Sequence, residues 1–178
     1  MKRYAALFGG SGKDKTTLEY NDTVKIGRLL ADMGYVVKNG GYGGMMEAVS
    51  YGALQQGGEV IGVTCKQVGT IEGNDFLTQT IVTEDLYDRL KVLINNTELF
   101  IVQKGGIGTL SEVFLVLDIL RKEPIANRPM MFFVGDAWKK VIEVVKKQLL
   151  PGYEYELFQI VDGFEELKLV LNSNEIRI

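Results

Sequence analysis

Leu99-Phe100-Ile101-Val102-Gln103-Lys104-Gly105-Gly106-Ile107-Gly108-Thr109-Leu110-Ser111-Glu112 is the stretch that decides the fold. Four apolar residues run through Gln103 and Lys104 into three glycines, and a helical pattern begins at Thr109. A strand that feeds a glycine loop that feeds a helix is the repeating unit of a parallel α/β sheet. The glycines let backbone approach a ligand closely, and the free N–H groups at a helix start favour an anion, phosphate above all. Glu112 lies one turn into that helix, close to whatever the loop holds.

Outward from this unit the same alternation continues to both ends. Tyr4–Phe8 reads as a first strand, Thr17–Met33 as a helix with Val24, Ile26, Leu29, Leu30 and Met33 on its apolar face, and Tyr35–Lys38 as a short second strand. A glycine-rich turn from Asn39 to Gly44 leads into a helix over Met45–Gln56, and Val60–Thr64 is a β-branched strand. Residues Cys65–Thr80 look irregular, with a brief strand near Thr80–Thr83. Asp85–Asn96 is predicted helical, followed by strand Leu99–Gln103 and helix Thr109–Arg121. Strand Met130–Val134, helix Trp138–Leu149, strand Phe158–Val161 and helix Phe164–Leu171 close the pattern. Strands followed by helices imply an α/β fold, a single doubly wound Rossmann-like parallel sheet with helices on both faces. With no linker and no fixed-period repeat, residues 1–178 read as one domain. All three glycine loops then lie at the carboxyl ends of strands, where such sheets bind ligands.

Composition narrows the chemistry. The 178 residues are 46% hydrophobic and 24% charged, with a net charge of −3, which argues against a nucleic-acid or anionic-membrane binder. No apolar run approaches the ~20 residues that cross a bilayer, and the start leads straight into a strand-like run, so a cytoplasmic location is expected. A single cysteine, Cys65, excludes an internal disulfide and a multi-thiolate metal site. The absence of histidine removes Ser-His-Asp and Cys-His catalysis and the HExxH zinc site. Acid–base work must fall to Asp, Glu, Lys, Tyr or water. No metal and no cofactor is expected; in particular no lysine sits in a recognisable pyridoxal-phosphate setting.

The named nucleotide fingerprints fail. Gly12-Lys13 is followed by Asp14 and preceded by Leu7 where a P-loop needs glycine, and neither Gly10-Ser11-Gly12 nor Gly106-Ile107-Gly108 completes GxGxxG. Three glycine loops after parallel strands still point to a phosphorylated ligand, with tight turns as the alternative. Thr109-Leu110-Ser111-Glu112 also fits a capping box, in which Glu112 would only reach back to the Thr109 amide. Arg89 has a bland reading as well, an i, i+4 ion pair with Asp85 on a solvated face. Lys13 and Lys15 read as surface charges. Lys104 either attracts a phosphate or snorkels at the surface. Cys65 reads as core, and Met45-Met46 as helix-to-sheet packing.

Asn39-Gly40-Gly41-Tyr42-Gly43-Gly44-Met45-Met46-Glu47-Ala48, taken with Lys104–Glu112, resembles the Lonely Guy (LOG) family. That family includes cytokinin-activating phosphoribohydrolases, relatives labelled "possible lysine decarboxylase", and molybdenum-cofactor carrier proteins. The resemblance runs from Phe8-Gly9-Gly10-Ser11-Gly12 to about Val134. It implies that Arg89, fifteen residues before Lys104, and Glu112 are a catalytic pair. It also implies that Gly105, Gly106, Gly108 and Thr109, with Lys104 beside them, hold a 5′-phosphate, and that Ser11, Gly40, Gly41 and Gly44 line the nucleotide site. The expected partner is a nucleoside monophosphate or related phosphorylated small molecule, and the expected assembly a homodimer. The chain departs from the hydrolase motifs PGGxGTxxE and MHxRK: Lys104 stands at the proline, Tyr87 at the histidine, and Leu90 at the lysine. Asn39 stands at the first of three adjacent glycines. The resemblance therefore implies N-glycosidic hydrolysis of a nucleoside 5′-monophosphate, with a non-catalytic nucleotide or cofactor carrier as the alternative.

Overall fold

The computed structural model describes residues 2–12 and 14–175. Seven strands form one all-parallel sheet: β1 (Arg3–Phe8), β2 (Tyr35–Asn39), β3 (Val60–Cys65), β4 (Gln79–Thr83), β5 (Leu99–Val102), β6 (Met130–Val134) and β7 (Gln159–Val161). Their order across the sheet is β4-β3-β2-β1-β5-β6-β7. The helices are α1 (Leu18–Asp32), α2 (Met45–Gln55), α3 (Leu86–Ile94), α4 (Ile107–Leu120), α5 (Asp136–Gln148) and α6 (Phe164–Glu175). No helix among the described residues is long and apolar enough to cross a membrane.

The period of two along a strand sorts the core into two layers. Ala5, Leu7, Val37, Leu99, Ile101 and Phe132 face one way, onto Ile26 and Leu30 of α1, Val49 and Ala53 of α2, and Leu167 and Leu171 of α6. Ala6, Phe8, Val63, Phe100, Val102 and Phe133 face the other way, onto Leu93 of α3, Val113, Val116 and Leu120 of α4, and Trp138 and Ile142 of α5. Strands buried on both faces read as continuous apolar runs, as β1, β5 and β6 do.

The sheet is built outward from β1 in two directions. The chain first lays down β2, β3 and β4 on one side, then returns through α3 to place β5 on the other, in the register Ala5↔Leu99 to Phe8↔Val102. This reversal opens a crevice between the carboxyl ends of β1 and β5, the place where doubly wound sheets take their ligands.

Most predicted elements are present within a residue or two; Thr17 and Met33, the predicted ends of the first helix, are the caps that flank α1. The instructive difference is α4, which starts at Ile107 with Gly106 as its N-cap, two residues before the predicted Thr109. Glycine-rich sequence carries no helical periodicity, so the first turn was invisible. The same holds for α5, which begins at Asp136 behind Gly135 (φ 96°). The segment after Cys65 is irregular as expected, apart from a single 3-10 turn at Lys66–Val68. Cys65 is fully buried, and Met45 packs against the core beneath α1 and α2.

Candidate functional site

Three loops converge on the crevice and are tied together by backbone. The Gly10 amide donates to the Lys104 carbonyl at 3.0 Å, and the Met45 amide donates to the Gly10 carbonyl at 2.9 Å. Beside this junction lies a cavity of about 430 Å³, walled by Gly10, Ser11, Gly12, Asp14, Thr17, Glu19, Met45 and the Lys104–Gly106 turn. Ser11 and Lys104 are exposed on its wall.

The β5–α4 loop presents an uncapped helix start. Gly106 has no side chain to bond the first amides of α4, so the N–H groups of Ile107, Gly108 and Thr109 have no intrahelical acceptor. The faces of Gly106 and Gly108 are open, with nothing within 4 Å of where a Cβ would sit. Gly105 is different: a Cβ there would lie 2.1 Å from the Oγ1 of Thr109, which is itself buried. Gly105 and Thr109 therefore shape the turn from inside, while Gly106 and Gly108 leave its outer side accessible. An open row of amides at a positive helix end is suited to a phosphate.

Arg89 and Glu112 meet, from α3 and α4 respectively. Arg89 Nη1 stands 3.4 Å from Glu112 Oε1, and both residues are buried. Nε of Arg89 donates to the Val63 carbonyl at 2.8 Å and Nη2 to the Gly40 carbonyl at 3.3 Å. The Tyr42 ring lies 5.6 Å from the guanidinium carbon. Burial pushes the Glu112 carboxyl up to about 7, with the neighbouring Arg89 charge pulling the other way. A carboxyl poised near neutrality, fixed by a guanidinium, is suited to taking or giving a proton.

Both bland readings of these residues are corrected. Glu112 is not part of a capping box, because the helix begins two residues before Thr109 and the carboxylate is occupied by Arg89. Asp85 does not pair with Arg89; it caps α3 by accepting from the Asp88 amide at 2.9 Å. Lys15 is a surface charge paired with Glu47 at 2.5 Å, and Lys13 lies outside the described residues.

The β2–α2 loop serves the arginine. A Cβ on Gly40 would fall 1.9 Å from Arg89 Nη2, so only glycine admits the guanidinium there. Gly41 and Gly44 both hold positive φ, at 80° and 67°. Asn39 organises this turn and was missed as a site residue. Its Oδ1 accepts from the Gly41 amide at 2.8 Å and its Nδ2 donates to Ser50 Oγ at 2.9 Å. Asn before paired glycines is the signal for such an Asx turn. Asn74 was also missed: its amide donates to the Gly41 carbonyl at 2.7 Å and its side chain to the Tyr42 carbonyl at 3.0 Å. Nothing in the irregular sequence around Asn74 announces that contact.

Residues 2–145 match the SLOG cluster4 family. The chain belongs to that family. The likeness to LOG proteins read from the two glycine motifs is borne out at this level. An uncharacterized protein of Archaeoglobus fulgidus is 34% identical over 111 residues, covering 62% of this chain and 71% of that protein. A cytokinin riboside 5′-monophosphate phosphoribohydrolase of Mycobacterium marinum is 31% identical over 115 residues, 64% of this chain, and the match spans 60% of that enzyme's length. Among solved structures, the molybdenum cofactor binding protein of Rippkaea orientalis superimposes with a TM-score of 0.75 at 24% identity, over 97% of this chain and 98% of that one. At that identity the likeness shows the shared doubly wound fold.

Proposed function

We propose that this protein hydrolyses the N-glycosidic bond of a nucleoside 5′-monophosphate, releasing the free base and ribose 5-phosphate. The observation that carries the reading is the buried Arg89–Glu112 pair set between the glycine loops, with a carboxyl raised to about 7. The 5′-phosphate docks on the free amides of Ile107, Gly108 and Thr109 at the open α4 start, with Gly105 and Gly106 giving clearance and Lys104 adding charge. Ser11 and the β2–α2 turn of Gly40, Gly41 and Gly44 border the remainder of the nucleotide.

Cleavage breaks the bond between C1′ and the base nitrogen, and the electron pair leaves with the base. The ionised Glu112 faces the positive charge that develops at C1′ and takes a proton from the attacking water, whose oxygen becomes the new C1′ hydroxyl. The departing base takes up one proton in exchange, so the step balances as addition of one water. Arg89 holds Glu112 in place and keeps part of the carboxyl population ionised.

A second reading, a non-catalytic carrier of a nucleotide-like phosphorylated ligand, is favoured by one feature. The crevice cavity is bordered by Ser11, Lys104 and Gly106 but not by Arg89 or Glu112. Incubation with a mixture of nucleoside monophosphates, followed by detection of free base, separates the two readings. Hydrolysis predicts base release that is lost in Glu112→Gln. Tight binding of an unchanged nucleotide by both proteins supports the carrier, and no release together with no binding defeats both.

We also propose a homodimer built on α4. That helix is apolar nearly all round, and it leaves Ile107, Phe114 and Leu115 substantially exposed. A helix of that composition is normally covered.

A further inference from the structure

A guanidinium is planar, and its donors lie in that plane. Those of Arg89 go to the Val63 carbonyl on β3, to the Gly40 carbonyl and to Glu112, the last being the longest of the three at 3.4 Å. In-plane bonds hold the edges of the group and leave tilting out of the plane unopposed. Tyr42 supplies a restraint of a different kind. Its ring presents a face to the guanidinium carbon, which lies 5.6 Å from the ring centroid. That is within the ~6 Å reach of a cation–π attraction.

Tyr42 is itself fixed. Its ring is half-buried, and its hydroxyl accepts from the Cys65 amide at 3.0 Å while donating to the Thr70 carbonyl at 3.0 Å. Cys65 ends β3, two residues beyond Val63, so one strand end supports both the arginine and the ring. Other bonds already join the β2–α2 loop and β3 to the segment that follows β3. The Asn74 amide donates to the Gly41 carbonyl, its side chain donates to the Tyr42 carbonyl, and Thr64 Oγ1 donates to the Ile71 carbonyl at 2.9 Å. Closing the loop therefore does not call for an aromatic side chain at position 42. A cation to be held does.

We propose that Tyr42 is a positioning residue for the Arg89–Glu112 pair, its anchored ring holding the guanidinium against the carboxylate. This deepens the hydrolase reading and rests on it for the effect on rate. Arg89 is the charge that draws the Glu112 carboxyl down against the effect of burial. A guanidinium that tilts away gives up part of that pull, so the Glu112 titration midpoint rises.

The test follows Glu112 by carboxyl ¹³C NMR across pH in the wild type, Tyr42→Phe and Tyr42→Leu, beside base-release kinetics on nucleoside monophosphates. Losing the hydroxyl in Tyr42→Phe raises the midpoint by about 0.3 pH unit and lowers kcat about threefold. Losing the ring as well in Tyr42→Leu raises it by about 0.5 pH unit or more and lowers kcat about tenfold, with KM within about twofold in both. Wild-type midpoints in the folded variants overturn the assignment even where kcat falls, because a loss of loop structure alone lowers the rate without this titration signature. Tyr42→Phe keeps the size of the ring and decides the matter by itself where Tyr42→Leu does not fold. A wild type that releases no base overturns the hydrolase reading alone, since the midpoints need no substrate and still decide the role of Tyr42.

Discussion

Arg89 and Glu112 lie far apart in sequence, and each depends on the other's helix for its environment. The guanidinium spends its remaining donors on Val63 and Gly40, so it arrives at Glu112 already oriented. Removing the ionisable group while keeping its shape, Glu112→Gln, should lower base release by about 10²-fold or more, with ligand affinity less affected. Gly40→Ala should do comparable damage by a different route, since the added methyl collides with Arg89 Nη2 and with Met46 Sδ. Displacing the guanidinium there should cost about 2 kcal/mol of stability as well as activity, read from urea melts and base-release rates on the same preparation.

The raised carboxyl also makes a statement about stability. Glu112 holds its proton more tightly when folded (about 7) than the ordinary 4.5 of an unfolded chain, so the folded state binds more protons between those values. Its contribution is intact below the unfolded value and is lost as pH rises from about 4.5 to about 7, by about 3 kcal/mol in all. Urea denaturation across that window should show this decline in the wild type and not in Glu112→Gln; matching pH profiles would refute it.

At the scale of elements, α1 and α2 cross with their backbones nearly touching. A Cβ on Gly52 would sit 2.0 Å from the Val24 carbonyl, and one on Gly27 2.3 Å from the Val49 carbonyl. Gly52→Ala, which would favour an isolated helix, should therefore destabilise this protein by about 3 kcal/mol, measurable as a lowered melting temperature. The sequence made the helices legible through their apolar stripes but not this crossing, because a glycine inside a helix looks only like a weak point. The same distinction runs through the site. The glycine loops and the Arg89 and Glu112 positions could be read from pattern and resemblance. The start of α4 could not, and that start decides between a capping role for Glu112 and a paired one. Asn74 was illegible because its partners lie across an irregular segment with no periodic signal.

At the scale of the whole molecule, α4 links the proposed site to the proposed assembly. Its first turn carries the open amides, and its middle leaves Phe114 and Leu115 exposed. Light scattering should give the mass of two chains, and the pair Phe114→Lys, Leu115→Lys should give one. A monomeric wild type would remove the dimer proposal and leave the exposed face of α4 unexplained.

The bond between the Gly10 amide and the Lys104 carbonyl has a consequence for the order of folding. Gly10 leaves the ribosome before its partner, which arrives only after β2, β3, β4 and α3 have been made. Contacts between segments so distant along the chain form slowly, because loop closure must precede any gain from pairing. The ligand crevice is thus assembled by the docking of β5 against β1. A growing chain that has not yet extruded Lys104 holds half of the pocket and lacks the wall that Lys104, Gly105 and Gly106 supply.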